Sequence, residues 1–114
     1  MEQYIPETLV TGSDPVATTE GTIAAGQTLS RFAPLGQNTT TGEFHLWKPD
    51  ATDGTEVSTR IAPVGIDTTA GIAIQQLYKC GTFNPDLIAW PDGTTAAQKL
   101  TAFVGTPISL QAPA

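Results

Sequence analysis

The sequence predicts a mainly β domain, small and barrel-like, with one short helix in its C-terminal region and an extended N-terminal arm. Three observations lead there. Nineteen of 114 residues are Thr and only 14% are charged, a composition suited to pleated, half-buried surfaces. Eleven Gly and nine Pro are spread along the chain, so turns recur at short intervals. Apolar residues alternate in short runs almost everywhere, and a single segment has helical spacing. A chain this size buries roughly 60 to 70% of its unfolded surface, enough for one modest core, so self-association would add useful burial.

Residues 1–28 carry Glu2, Glu7, Asp14 and Glu20, no basic residue, and breakers at Pro6, Gly12, Pro15, Gly21 and Gly26. This reads as an extended arm that is flexible when free, with residues 29–114 as the domain proper. Leu29, Phe32 and Leu35 lead to Gly36 and the polar cluster 37–42, and Phe44 and Leu46 then alternate with His45 and Trp47, a pattern of two strands joined by a turn. Val57 to Ile66 is a further strand candidate, placed at an edge or bulge by Pro63. The segment from Ile72 to Phe83 is the longest strand, and its apolar phase changes at Gln75-Gln76 as a β-bulge would make it do. Thr95-Ala96-Ala97-Gln98 is a capping-box pattern. It opens a helix whose apolar spacing, Ala96, Ala97, Leu100, Phe103 and Val104, ends at Gly105 and Pro107. Ile108 and Leu110 suggest a last short strand.

Charge and reactive groups exclude more than they offer. The formal charge is −6, and the five basic residues Arg31, Lys48, Arg60, Lys79 and Lys99 are scattered, so no cationic patch is available for direct contact with nucleic acid. No apolar run approaches 18 residues and no basic segment precedes an apolar one, so neither a membrane span nor a secretion signal is expected. A lone His45 and a lone Cys80 cannot assemble a nucleophile, base and orienting group, and no enzyme, cofactor or metal site is expected. Asp50 to Gly54 has a faint calcium-loop look without the closing Glu, and Asn38-Thr39-Thr40 fits the glycosylation sequon but reads as a turn. Trp47 and Trp90 read as core or subunit-interface anchors, with a sugar-stacking role as the alternative.

One stretch is specific. Tyr78-Lys79, Gly81-Thr82-Phe83, Trp90-Pro91, Lys99, Thr101-Ala102-Phe103, Gly105-Thr106 and Ile108-Ser109 fall where the head decoration proteins of lambda-like tailed phages place the same residue types. Looser echoes at Ser13-Asp14-Pro15, Pro34-Leu35, Trp47 and Thr52-Asp53-Gly54 extend the resemblance over most of the chain. Departures are Cys80 in place of serine, the rewritten segment 84–89, the spacing between Asp67 and Tyr78, and the tail 111–114.

The resemblance implies a trimeric β-clip domain that binds the outer surface of the expanded phage head at threefold positions and stabilises it against packaged DNA. Its partner would be the major capsid protein, and it would be made in the host cytoplasm and end on the virion surface. In such proteins the arm engages the shell by strand addition, which here points to Tyr4, Ile5, Pro6, Leu9, Val10, Asp14 and Pro15 as capsid contacts. Trp47, Tyr78, Phe83, Trp90, Leu100 and Phe103 are then expected in core or trimer packing. The alternative is a carbohydrate- or host-recognition β-module on the virion surface.

Overall fold

The computed structural model describes residues 16–111. In chain order they form β1 (Ala17–Ile23), β2 (Thr28–Leu29), β3 (Pro34–Gln37), β4 (Phe44–Leu46), β5 (Arg60–Ile61), β6 (Ile66–Asp67) and β7 (Ala73–Phe83). A 3₁₀ turn (Pro85–Leu87), α1 (Ala96–Thr101) and β8 (Ile108–Leu110) follow. Strands β1, β4, β3, β5 and β7 hydrogen-bond in that order, and β1 pairs again with β7, so five strands close into a barrel-like ring. Strand β8 joins the far end of β7 in parallel, Gly81 opposite Ile108 and Phe83 opposite Leu110. The fold is mainly β with one short helix, as the composition and turn spacing predict.

The barrel interior holds Ile23, Leu29, Ala33, Leu35, Phe44, Ala62, Ile66 and Leu77. Glycine is required where strands approach closely. A Cβ on Gly36 would lie 2.5 Å from the Thr55 Cα, a backbone atom with nowhere to move. The other face of the wall is covered by the C-terminal segment, where Phe32, Trp47, Ile61, Phe83, Ile88, Ala102, Phe103 and Ile108 form a second cluster. Alternation divides the two. Leu35 on β3 packs inward, and Ile61 on β5, opposite Pro34, packs outward into the second cluster.

Four expectations need correction. Residues 17–23, read as part of an unpacked arm, are strand β1, paired with β7 from Ala17 opposite Cys80 to Ile23 opposite Ala73. Its Thr and Glu residues concealed an alternation in which Thr18 and Glu20 face solvent while Ile23 is buried. The bulge expected at Gln75-Gln76 is also displaced, since both pair in register with Gly21 and Glu20. The ladder slips at Lys79 instead, which has no partner between Tyr78 opposite Thr18 and Cys80 opposite Ala17. The apolar phase changes at the glutamines because Ile72 and Ile74 point outward, each 60% exposed, while Leu77 points into the barrel.

Val57 to Ile66 is not one strand. It divides into β5, a turn through Pro63, and β6, which pairs with β2. The helix has its capping box as predicted: Gln98 N–H donates to Thr95 Oγ1 at 3.1 Å and Thr95 N–H donates to Gln98 Oε1 at 2.9 Å. Its apolar face is nevertheless not a core face, because no residue within α1 is buried. The chain turns after Thr101, so Ala102 and Phe103 enter the second cluster while Leu100 and Val104 stay outside, 82% and 65% exposed.

Candidate interaction surface

Trp47 anchors the aromatic cluster. It is 2% exposed, its Nε1–H donates to the Glu56 carbonyl at 2.8 Å, and its ring meets Trp90 edge to face at 5.5 Å between centroids. Trp90 donates its Nε1–H to the Pro85 carbonyl at 2.9 Å and packs against Phe103, while the Lys99 ammonium lies 6.0 Å from its ring. Tyr78 and Phe83, both on β7, meet with centroids 5.4 Å apart and rings tilted by 43°. Five of the six expected packing residues therefore belong to one cluster: Trp47, Phe83 and Phe103 buried, Tyr78 and Trp90 half-buried against it. Leu100 is the exception. Trp47 is buried and Trp90 half-buried, and the two indoles meet edge to face within the cluster instead of lying side by side on the surface.

Among the described residues, two surface depressions bear on binding. The first, about 310 Å³, lies where Leu46 to Asp50 meet Pro91 to Thr94, with Lys48, Asp50 and Asp92 on its rim. The second, about 250 Å³, is an apolar groove between the end of α1 and β8, lined by Leu100, Phe103, Val104, Ile108, Ser109 and Leu110. Nothing charged lines this groove. Ser109 alone in that lining has a polar side chain, so the groove suits another protein's apolar side chains better than a small polar ligand.

The remaining polar candidates have local work. Gln27 holds the edge beside β4, accepting from Leu46 N–H at 3.1 Å and meeting His45 Nδ1 at 3.4 Å. Asp53, in the loop with a calcium-loop look, accepts from the Thr55 hydroxyl at 2.6 Å and the Thr55 N–H at 3.1 Å. Those bonds, the hydroxyl's first, hold its carboxyl below the ordinary value. Asp67 is lowered in the same way by the Thr69 N–H and then the Thr69 hydroxyl. Asn38 Oδ1 accepts from the N–H groups of Thr40 and Thr41, which makes the sequon a side-chain-capped turn. Among the described residues no three His, Cys, Asp or Glu side chains gather to hold a metal ion.

The resemblance read from residues 78–109 is matched by the chain as a whole. The family model described as Bacteriophage lambda head decoration protein D matches residues 2–109. The chain belongs to that family. It is also 28% identical over 108 residues to the head decoration protein of Enterobacteria phage P21, an alignment covering 95% of this chain and 90% of the relative. Head decoration is a structural role on the phage capsid, and family membership gives this chain that role and that place. The expected capsid contacts Tyr4, Ile5, Pro6, Leu9, Val10, Asp14 and Pro15 lie outside the described residues.

What sequence reasoning missed on the surface is the outward pair Ile72 and Ile74. Their signal was present, as an apolar parity opposite to that of Leu77, but was assigned to a bulge.

Proposed function

We propose that this protein cements the expanded phage head, binding its outer surface as trimers at threefold positions and fastening neighbouring major capsid protein subunits against the pressure of packaged DNA. The observation that carries this reading is the family match, which runs from residue 2 and so includes the N-terminal segment as well as the domain. The chemistry is consistent with it: a closed barrel with an aromatic brace, and an apolar groove suited to another protein's side chains. Residues 1–15, with Tyr4, Ile5, Pro6, Leu9, Val10, Asp14 and Pro15, supply main-chain pairing and small apolar contacts to capsid loops. Many copies on one shell let modest contacts per trimer hold a large assembly. Synthesis in the host cytoplasm and a lack of direct contact with nucleic acid complete the reading, the latter in keeping with the net charge of −6.

The test is co-sedimentation of the full chain and of a chain lacking residues 1–15 with expanded and unexpanded heads. Binding to expanded heads alone, lost with the segment, is the expected result. Equal binding by the shortened chain would remove the arm from the assignment, and no binding by the full chain would remove the cementing role.

A further inference from the structure

Among the described residues nothing covers the α1–β8 groove. Leu100 and Val104 stand 82% and 65% exposed on its rim, while Phe103 and Ile108 form its buried floor. Six residues are too few for a helix to be stable by propensity, and helices in proteins are normally held by burying an apolar stripe. In α1 the half-buried side is Gln98 and Lys99, and Ala97 and Leu100 face out. The groove and the helix beside it both lack an apolar partner within residues 16–111.

The N-terminal segment enters the domain beside this groove. A Cβ built on Gly81 would meet Val16 Cγ2 at 2.9 Å and Phe83 Cζ at 3.2 Å, so Val16 lies over Gly81 on the face of β7 that carries Phe83. Gly81 in turn pairs with Ile108, its N–H donating to the Pro107 carbonyl at 3.2 Å. Paired residues share a face, which puts Val16 and the groove residue Ile108 on one side of the sheet, roughly 10 Å apart at the usual strand spacing. Residues 1–15 precede Val16, and they include the adjacent apolar pair Leu9-Val10. Extended chain from Val16 back to Val10 spans about 20 Å, so the pair reaches the groove with length to spare. Gly12 and Pro15, which lie between, are turn residues.

We propose that the groove is the seat of this chain's own N-terminal segment, with Leu9 and Val10 laid among Leu100, Val104 and Leu110. Tethering decides for this occupant over one from outside. A linker this short holds the pair at an effective concentration on the order of millimolar, so a modest apolar contact is populated in a single chain at any dilution. The lining agrees, since no charged side chain borders the groove and Leu9 and Val10 are themselves uncharged. The other segment outside the described residues, 112–114, is Ala-Pro-Ala and has no side chain larger than a proline ring with which to fill it. Any outside side chain that enters the groove must displace the segment, and displacement frees Leu9 and Val10 for another surface.

The full chain tests this in a Cys80→Ser background, with Val10→Cys and Val104→Cys on one molecule. With oxidised glutathione the two cysteines should join within a chain, at a rate independent of protein concentration and about 10-fold or more above that of a control chain carrying Val10→Cys and Ile74→Cys. Ile74 is nearly as exposed as Val104, at 60% against 65%, but lies about 23 Å from Gly81 at the usual strand rise. In the chain without added cysteines, Leu9→Asp should shift the methyl resonances of Leu100, Val104 and Leu110 and leave those of Ile74 unmoved.

Equal rates for the two cysteine pairs, disulfides formed mainly between chains, or groove methyls unmoved by Leu9→Asp would each overturn the inference. All of these readouts are taken on the free protein, so failure of this contact and failure of the cementing role in the co-sedimentation are distinguishable.

Discussion

The barrel interior and the aromatic cluster on its outer wall are two cores of equal membership held by different forces. The interior is mostly aliphatic, and its walls are tied by the long β1–β7 ladder and the β3–β4 pairing. The outer cluster is aromatic, and its cover is mostly irregular chain, tied by side chains donating to backbone: Trp47 to Glu56, Trp90 to Pro85, Thr106 to Phe103. A ladder distributes stability over many equivalent bonds, whereas the cover depends on a few anchors. The difference teaches where this domain should open first.

The largest effect that would break this contrast comes from the anchors. Phe83→Ala, which empties part of the aromatic cluster at the end of β7, should cost about 3–5 kcal/mol, and Leu77→Ala in the barrel about 2–5 kcal/mol. Native-state hydrogen exchange sharpens the comparison: Phe83→Ala should accelerate exchange in α1 and β8 more than in β1, and uniform acceleration would mean a single cooperative core. Gly36→Ala should rank next, at about 1–3 kcal/mol by urea unfolding, because its Cβ meets Thr55 backbone instead of a mobile side chain.

Thr95→Ala should remove the capping box of α1 and about 1 kcal/mol, readable as a lower melting temperature. The smallest effect concerns acid. Asp53 and Asp67 have folded-state values below their ordinary 3.8, so their contribution is fully present above that value and is lost as pH falls through the lower folded-state value. Asp53→Asn and Asp67→Asn should each flatten the acid limb of the stability profile slightly, and an unchanged limb would assign acid sensitivity to other carboxylates.

Much of the domain was legible because local and tertiary signals agree. The β3–β4 hairpin, the capping box at Thr95 and the length of β7 all follow from residues that act within a few positions of themselves. Strand β1 was obscured because its inward positions include Thr19 and Gly21, with Ile23 the only large apolar residue among them. A Cβ on Gly21 would meet Leu77 Cδ1 at 2.8 Å, so a residue that looks like a breaker is there to admit a partner's side chain. The aromatic cluster was legible as a list but not as a place. Trp47 and Trp90 are 43 residues apart, and only the return of the chain after β7 brings their rings together.

Leu100 and Ile74 sit on apolar patterns yet are exposed. A helical stripe and an alternating strand both announce burial, but neither states whether the cover comes from the same chain. That distinction belongs to assembly and not to local pattern.

Closing β1 onto β7 also governs how the protein behaves when it accumulates. The six-stranded sheet ends on β8, three residues with Pro107 immediately before them, and the part of β1 beyond its pairing with β4, Ile23 opposite Phe44, carries the exposed Glu20. So short a margin, with a proline at its start, gives another chain little backbone to copy. A pool of unused subunits at high concentration should therefore stay free of fibrous aggregates, held in reserve until there is a surface to cover.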